Sequence, residues 1–239
     1  MKMYYFEFLT IPESWVKLLD VCMREGRVYV IDRGSRKGKR RKELDLVVIQ
    51  IKKPWLRPLT PHLEAPGYAP TEKEIREYYL YFVHPYTSSV EYLPEKLRHE
   101  YSYTYGEKIG CKQYEALINM LAITPNTNQA VLRVTEDVDI HMESPPCLCL
   151  LQFKVIEGRL VCYAYFRSWD LFGGYPYNVP AIQLLKEDVL DSVNRKRREM
   201  GLSEFNDGEL VLISAGLHIY ETEWEVVKEV LNNTLYKRR

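Results

Sequence analysis

Residues 145–178 read PPCLCLLQFKVIEGRLVCYAYFRSWDLFGGYPYN, and this stretch predicts the centre of the fold. Two strand-like runs, 147–156 and 159–167, flank the turn residues Glu157 and Gly158, a pattern that predicts a β-hairpin. A cysteine opens the first run, an arginine ends the second, and an asparagine closes the stretch. A thiol, a guanidinium and an amide are therefore expected on one small piece of structure.

Cys147 is the candidate nucleophile. A cysteine attacks as the thiolate, so it needs positive charge nearby, and Arg167 or a basic loop at residues 36–42 could supply it. The alternative is a small buried hydrophobe on a strand, the common role of a free cysteine. Strand alternation would put Cys147 and Cys149 on one face. A Cys-x-Cys pattern near a histidine lacks four ligands at suitable spacing, so no metal site is predicted.

The second half of the stretch offers groups that could bind an anion and a base. An arginine fork beside a hydroxyl, as in Arg167-Ser168, suits a phosphate dianion, although a surface salt bridge is the more frequent role of one arginine. Asn178 combines a donor and an acceptor, which the O4 and N3–H edge of uracil requires. Its alternative role is an N-cap for the helix that follows.

The remaining pattern predicts a single mixed α+β domain over residues 1–239. Thr71, followed by Glu74, predicts a capping box. Further strands are predicted at 27–31, 44–51, 129–135 and 209–214, and helices at 15–23, 71–82, 111–121, 179–200 and 222–235.

Composition narrows the class of protein. With 46% hydrophobic and 28% charged residues the chain is globular, and its zero net charge gives no global attraction to nucleic acid or membrane. Five cysteines without a disulfide framework fit free thiols in a reducing compartment. No signal peptide and no membrane-spanning run are recognisable, so a cytoplasmic protein is expected.

Two basic runs interrupt this neutral average. Arg36 to Lys42 carries six positive charges in seven residues, and Arg195 to Arg198 carries four in a row. Blocks of like charge are usually solvated, so the first is expected to lie in a mobile loop over residues 32–42 and the second on an exposed helix face. Recruitment of an anionic nucleotide or pterin tail, or contact with a nucleic-acid backbone, is the alternative.

The order of these motifs resembles the thymidylate synthase family, and the small, divergent chain resembles its archaeal-type branch. The segments that carry the resemblance are Pro146-Cys147, Gln152-Phe153, Arg167-Ser168-x-Asp170, Gly174-x-Pro176-x-Asn178, Leu217-His218-Ile219-Tyr220, Tyr105-Gly106 with Gln113, Glu77 to Phe82, and Asp32-Arg33-Gly34.

The resemblance implies a mixed β-sheet flanked by helices, dimerising through the sheet, and a methyltransferase acting on dUMP. Cys147 would attack C6 of the pyrimidine, and C5 would take a one-carbon unit from methylenetetrahydrofolate or methylenetetrahydromethanopterin, without a metal. The remaining roles that the resemblance implies are phosphate binding by Arg33, Arg167 and Ser168, base reading by Asn178, sugar binding by His218 and Tyr220, pterin contacts by Asp170 and Gly174, and proton handling by Tyr105 and Glu77.

The chain departs from the family pattern at several positions. Leu148 stands where a histidine usually follows the cysteine, Thr127 to Gln129 replaces a pair of partner-subunit arginines, and Gly216 replaces an aspartate. Residues 221–239 are fewer than the segment that usually closes over the folate. A nucleotide hydroxymethylase of the same fold, or a nucleotide- or RNA-binding module without turnover, is the alternative.

Overall fold

The computed structural model describes residues 1–61, 67–93, 98 and 102–235. Its strands are β1 Met3–Phe8, β2 Arg27–Val30, β3 Arg40–Leu44, β4 Leu46–Ile51, β5 Val131–Arg133, β6 Leu148–Ile156, β7 Arg159–Phe166, β8 Trp169–Asp170, β9 Asn206–Ser214 and β10 Leu217–Tyr220. Its α-helices are α1 Ile11–Glu25, α2 Glu72–Tyr78, α3 Tyr105–Ile123, α4 Tyr175–Glu199 and α5 Trp224–Leu235. Short helical turns lie at Tyr79–Val83, Val90–Tyr92, Asp137–His141 and Glu221–Glu223.

A six-stranded sheet in the order β1-β4-β9-β7-β6-β5 forms the centre of the molecule. The β1–β4 and β7–β9 pairs are parallel and the other pairs are antiparallel, so the sheet is mixed. The predicted hairpin is confirmed, since β6 and β7 pair along their length. Glu157 and Gly158 take φ values of 50° and 73°, the left-handed pair that a tight hairpin turn with the correct twist requires.

Helices cover one face of this sheet. α1 packs on β1, α3 on β5 and β6, and α4 on β7 and β9. β4 and β9 alternate buried and half-buried residues over most of their length, because none of the described helices covers the second face. The predicted α+β class, with a mixed sheet flanked by helices, is confirmed. One hydrophobic cluster extends from Phe8 to Leu231, while a single domain over residues 1–239 stays a prediction.

A second sheet in the order β2-β3-β10-β8 builds the floor of the candidate site. Parallel pairing of β10 with β8 sets His218 opposite Asp170. The prediction of a loop over residues 32–42 is wrong at its end, because β3 begins at Arg40 and pairs with β2 on one side and β10 on the other. Cross-strand pairing overrides the low strand tendency of a charged run.

Two capping boxes start helices at the site. The predicted box of Thr71 and Glu74 is confirmed at α2, and Thr104 with Glu107 starts α3 in the same way. Gly110, at φ 64°, breaks α3, which explains why helical periodicity was recognisable only from the following residue. α4 begins at Tyr175, four residues earlier than predicted, because a proline in the first turn of a helix loses no hydrogen bond.

Candidate active site

Cys147 lies directly before β6 and beside Arg167. The Arg167 backbone N–H donates to the Cys147 carbonyl at 3.0 Å, and the Arg167 Nη2 lies 3.9 Å from the Cys147 Sγ. Burial raises the pKa of the Cys147 thiol, and the Arg167 guanidinium opposes that rise. The half-buried thiol therefore has the neighbouring positive charge that a nucleophilic thiolate needs.

The alternation expected along Cys147, Leu148 and Cys149 is interrupted. Cys147 precedes the strand, and the register between β6 and β7 shifts from Leu148 to Leu150. Cys149 thus lies in a bulge, where a strict two-residue period does not apply. Leu148, at the position of the family's histidine, is completely buried in the core.

Arg167 also fixes the loop that carries the thiol. Its Nε donates to the Pro146 carbonyl at 3.0 Å and its Nη2 to the Pro145 carbonyl at 2.6 Å. The side chain remains exposed, and a guanidinium has five N–H groups, so donors are left for an anion.

His218 presents an unpartnered nitrogen in a buried position. Burial lowers the pKa of His218 to about 4, so the ring is neutral at pH 7. Its Nδ1 lies 3.0 Å from the Gly216 carbonyl, which can only accept, so Nδ1 carries the proton. Nε2 is then an acceptor, and it has no hydrogen-bond partner among the described residues. A ligand hydroxyl would satisfy it.

Asp170 is held at the start of the turn that leads to α4. Its Oδ1 accepts from the backbone N–H groups of Phe172 and Gly173, each at 3.0 Å. Burial raises the pKa of Asp170, and these N–H groups counteract the rise. A Cβ on Gly174 would lie 3.0 Å from the Asp170 carbonyl oxygen and 3.3 Å from the Asn178 Oδ1, so glycine keeps this turn close to both.

Asn178 is buried, with 6% of its surface exposed. Its Oδ1 accepts from the Trp169 Nε1 at 2.9 Å, and its Nδ2 donates to the Tyr78 Oη at 2.7 Å. The alternative that Asn178 is an N-cap is wrong, because α4 has already begun at Tyr175.

Tyr105 and Tyr220 lie near the thiol. Burial raises the pKa of Tyr105 well above its usual value, and the neighbouring Tyr78 and Cys147 contribute. Burial, together with Asp170 and Cys147, raises the pKa of Tyr220 to about 12. The rings of His218 and Tyr220 meet edge to face, with centroids 4.7 Å apart. Both tyrosines are therefore protonated hydroxyls at neutral pH.

Two further charged residues lie at the site: Arg36, from the basic run predicted as a source of positive charge, and Glu223, which was not predicted. The Arg36 guanidinium lies 4.1 Å from the centre of the Tyr220 ring, and its Nη2 is 4.0 Å from the Glu223 Oε1. Burial, followed by the charge of Asp170, raises the pKa of Glu223 to about 7. Glu223 falls in the predicted helix 222–235, and no sequence signal distinguished it from the other acidic residues there.

Two predicted site residues lie apart from this cluster. Glu77 is exposed on α2 and pairs with Lys73 at 3.7 Å, so its predicted role in handling protons gains no support from this placement. Arg33 is exposed and donates to the Met142 carbonyl at 2.9 Å, against the segment that leads to Cys147. Tyr78, next to Glu77 in the chain, contacts the site instead, through Asn178.

Several side chains of the two basic runs form ion pairs or hydrogen bonds with other parts of the chain. Arg40 pairs with Glu221 at 2.5 Å and Arg41 with Glu43 at 2.5 Å. The Lys42 ammonium donates to the Met23 carbonyl. In the second run, Arg197 is buried and donates to the Ala122 carbonyl at 2.8 Å, so the expectation of a fully solvated helix face is wrong at that residue. These contacts weaken the alternative of a nucleic-acid surface.

The described part of the chain lacks two features, a metal-binding cluster and a membrane-spanning helix. Residues 1–61, 67–93, 98 and 102–235 contain no group of three or more His, Cys, Asp or Glu side chains arranged to hold a metal. Within the same ranges, no helix is both long enough and apolar enough to span a bilayer.

Comparison with known proteins identifies the family. The family model described as thymidylate synthase matches residues 67–238. The chain belongs to the thymidylate synthase family. A provisionally named thymidylate synthase of Methanosarcina barkeri is 26% identical over 228 residues, which cover 93% of this chain and 92% of the relative. A protein of Methanothermobacter marburgensis with the same provisional name is 29% identical over 93% of this chain and 96% of its own length.

A bacterial member of the thymidylate synthase family is more similar over a shorter region. The thymidylate synthase of Listeria monocytogenes is 34% identical over 139 residues, 58% of this chain and 40% of the bacterial protein. Family members bind dUMP and a folate-type one-carbon donor, so a methyltransferase class follows for the family.

Proposed function

We propose that the chain methylates dUMP at C5, with Cys147 as the nucleophile and a methylene-carrying reduced pterin as the donor of both the one-carbon unit and the hydride that reduces it to methyl, while the C5 proton leaves and the S–C6 bond breaks to release Cys147. One observation carries the proposal: residues far apart in sequence converge on the thiol. β8 pairs with β10, which sets Asp170 beside His218, and the register of β6 with β7 sets Arg167 beside Cys147. Both pairs come from the motifs that resemble the family.

The first step is attack of the Cys147 thiolate on C6 of the pyrimidine. A new S–C6 bond forms, and the electron pair of the C5–C6 double bond moves to C5, which becomes the nucleophile towards the one-carbon unit. Arg167 stabilises the thiolate. The same guanidinium would also bind the phosphate, so it would have two negatively charged partners. Covalent addition divides one difficult substitution into easier steps.

The nucleotide would be held by groups with unused hydrogen-bonding capacity. Arg167 and Ser168 would bind the phosphate, with Arg33 at the margin of the site. The unpartnered Nε2 of His218 would accept the sugar 3′-hydroxyl, with the Tyr220 hydroxyl beside it. Asn178 would read the base, and the protonated hydroxyl of Tyr105 could donate towards it.

The donor would lie on the side of Asp170 and Gly174. The Asp170 carboxylate is oriented by two backbone N–H groups, so it offers fixed acceptors to the N–H groups of a pterin ring. Methylenetetrahydrofolate and methylenetetrahydromethanopterin both present this ring, so both are candidate donors. A cytoplasmic setting suits such an enzyme, and all five cysteines are free thiols.

We also propose that the chain forms a homodimer through the second face of the central sheet. The register aligns Val48, Ile213, Tyr165 and Leu150 in one row across β4, β9, β7 and β6. All four are half-buried, and a row of aliphatic and aromatic side chains on an uncovered sheet face is typical of an obligate interface.

The test is covalent trapping. The protein is incubated with 5-fluoro-dUMP and each methylene pterin in turn, and intact mass should show an adduct that peptide mapping assigns to Cys147. Cys147→Ala should abolish the adduct, while Cys149→Ala, its matched control two residues away, should retain it. Absence of any adduct with either pterin would contradict the proposal.

Product analysis with dUMP then decides the outcome of the transfer. Thymidine monophosphate is expected, and 5-hydroxymethyl-dUMP would instead establish the hydroxymethylase alternative. Equilibrium binding of dUMP without adduct or product would establish a binding module.

A further inference from the structure

The structure assigns a positioning role to Trp169: its indole N–H fixes the orientation of the Asn178 amide, so that the site selects a uracil over a cytosine nucleotide. This inference rests on the proposed function, since it concerns the base that the same site reads. It adds a specificity-determining residue that does not itself contact the base.

The indole is held rigidly. Trp169 is 1% exposed, and its ring stacks on Phe166 at a centroid separation of 3.8 Å and an interplanar angle of 4°. Tyr175 lies on it at 4.7 Å. A buried side chain packed against two aromatic rings cannot move its N–H away from Asn178 without disturbing the core.

The contact has only one permitted polarity. An indole nitrogen is a donor and never an acceptor, so the Asn178 atom 2.9 Å from the Trp169 Nε1 must be the oxygen. In the flipped amide two donors would face each other in a buried position. The Tyr78 hydroxyl, 2.7 Å from the Asn178 Nδ2, can both donate and accept, so it tolerates either orientation. Of these two contacts, the one from the Trp169 N–H therefore decides which way the amide points.

Orientation of the amide decides which base fits. After these two contacts the amide keeps one acceptor position on Oδ1 and one donor position on Nδ2. Uracil presents an N3–H donor beside an O4 acceptor, and cytosine presents an N3 acceptor beside an N4 amine donor. Once attack by Cys147 on C6 fixes the base, the two bases require opposite orientations of the amide. A freely flipping asparagine would serve both.

The perturbation is Trp169→Phe, which keeps an aromatic ring for stacking and removes the N–H. Both amide orientations then become available through Tyr78, so dCMP no longer has to break a buried hydrogen bond. The ratio of dissociation constants for dCMP and dUMP should fall about tenfold, while dUMP binding weakens only about twofold.

The matched control is Trp15→Phe. Trp15 is likewise 1% exposed, and its single indole N–H donates at 2.7 Å to the Leu171 carbonyl instead of to Asn178. General loosening of the core would change both variants alike. If the Trp169 N–H fixes the Asn178 amide, a contact that we call the amide lock, the ratio of the dCMP and dUMP dissociation constants should change only in Trp169→Phe. If Trp169→Phe does not fold, site-specific replacement of Trp169 by benzothienylalanine substitutes sulfur for the N–H within a ring of the same size.

Calorimetric titration with dUMP and dCMP distinguishes the outcomes. A preference of the wild type for dUMP that is lost in Trp169→Phe and kept in Trp15→Phe supports the amide lock. A preference for dUMP that survives removal of the Trp169 N–H refutes the amide lock and leaves the proposed function unaffected. Failure of the wild-type protein to bind dUMP, together with failure of the 5-fluoro-dUMP adduct, would overturn both.

Discussion

Replacing Arg167 by Gln should make Cys147 less reactive by an amount that the structure fixes. The guanidinium lies 3.9 Å from the thiol sulfur. Two unit charges at that distance interact by about 1 kcal/mol in water and about 4 kcal/mol at an effective dielectric constant of 20. Because Arg167 is exposed, we expect an interaction energy near the value in water. Its loss in Arg167→Gln should lower the thiolate fraction of Cys147 at pH 7 about sixfold.

The observed alkylation rate changes less than the thiolate fraction. A thiolate of higher pKa is a better nucleophile, with a Brønsted coefficient of about 0.4–0.5, so about half of the effect on a logarithmic scale is recovered. Alkylation of Cys147 by iodoacetamide at pH 7 should therefore slow about threefold, and the midpoint of its pH profile should move upward.

The assay must isolate one thiol among five. Peptide mapping by mass spectrometry follows each cysteine separately. Cys111, a half-buried free cysteine on α3, serves as the internal reference, because the Arg167 charge also acts on the Cys149 thiol. Burial raises the pKa of both Cys22 and Cys162 to about 12, so they should remain unmodified at pH 7.

Two further variants separate charge from structure. Arg167→Lys keeps the charge and loses the fork that binds Pro145 and Pro146, so it should retain most of the reactivity. Arg159→Gln removes the same charge at the opposite end of β7 and should have no effect. Equal losses in Arg167→Gln and Arg167→Lys would show that loop geometry governs the thiol, and would refute the electrostatic argument.

Three stability predictions follow from other contacts, each measured by urea unfolding. The pKa of Glu223 in the folded protein is about 7, above the ordinary 4.5, so the stability that the protonated side chain contributes is full below pH 4.5 and is lost as the pH rises through 7. The free energy of unfolding of Glu223→Gln should therefore exceed that of the wild type by about 2 kcal/mol at pH 8 and equal it at pH 4.5. Equal differences at both pH values would contradict this. Asp207→Asn should cost about 3–5 kcal/mol because the completely buried Lys186 loses its partner at 2.9 Å, whereas Glu204→Gln, which breaks an exposed pair with Arg198, should cost under about 1 kcal/mol. Gly106→Ala would place a Cβ 2.4 Å from the His84 carbonyl oxygen and should cost about 3 kcal/mol, while Gly216→Ala meets only the flexible end of Glu43 at 3.3 Å and should be nearly neutral.

Local signals in the sequence predicted the elements whose causes are local. The Thr71 and Glu74 capping box and the turn at Glu157 and Gly158 depend on neighbours a few residues away, and both are confirmed. The early start of α4 was not predicted, although Pro176 stands where a helix has no N–H partner to lose. Position within an element decides the effect of proline.

Contacts between distant segments account for what could not be predicted at the site. Asn178 was predicted to read the base, but its partner Tyr78 is a hundred residues away, and nothing in the pattern distinguished Tyr78 from its neighbour Glu77. Trp169 occupies the variable position between Ser168 and Asp170, so a motif search passes over it. The roles of Tyr78 and Trp169 depend on which face of α2 and which side of β8 turn inward. Only packing in the folded protein determines that.

The basic run at Arg36 to Lys42 shows how one misassigned element changes the functional argument. As a loop it would offer free charge to nucleic acid. As the strand β3 with its preceding turn, it pairs with β10, and Arg40 binds Glu221 just beyond that strand. β10 carries His218, whose unpartnered nitrogen is the strongest sign of a ligand at the site. The charges therefore hold the floor of the pocket in place, and their neutralisation should weaken nucleotide binding through His218.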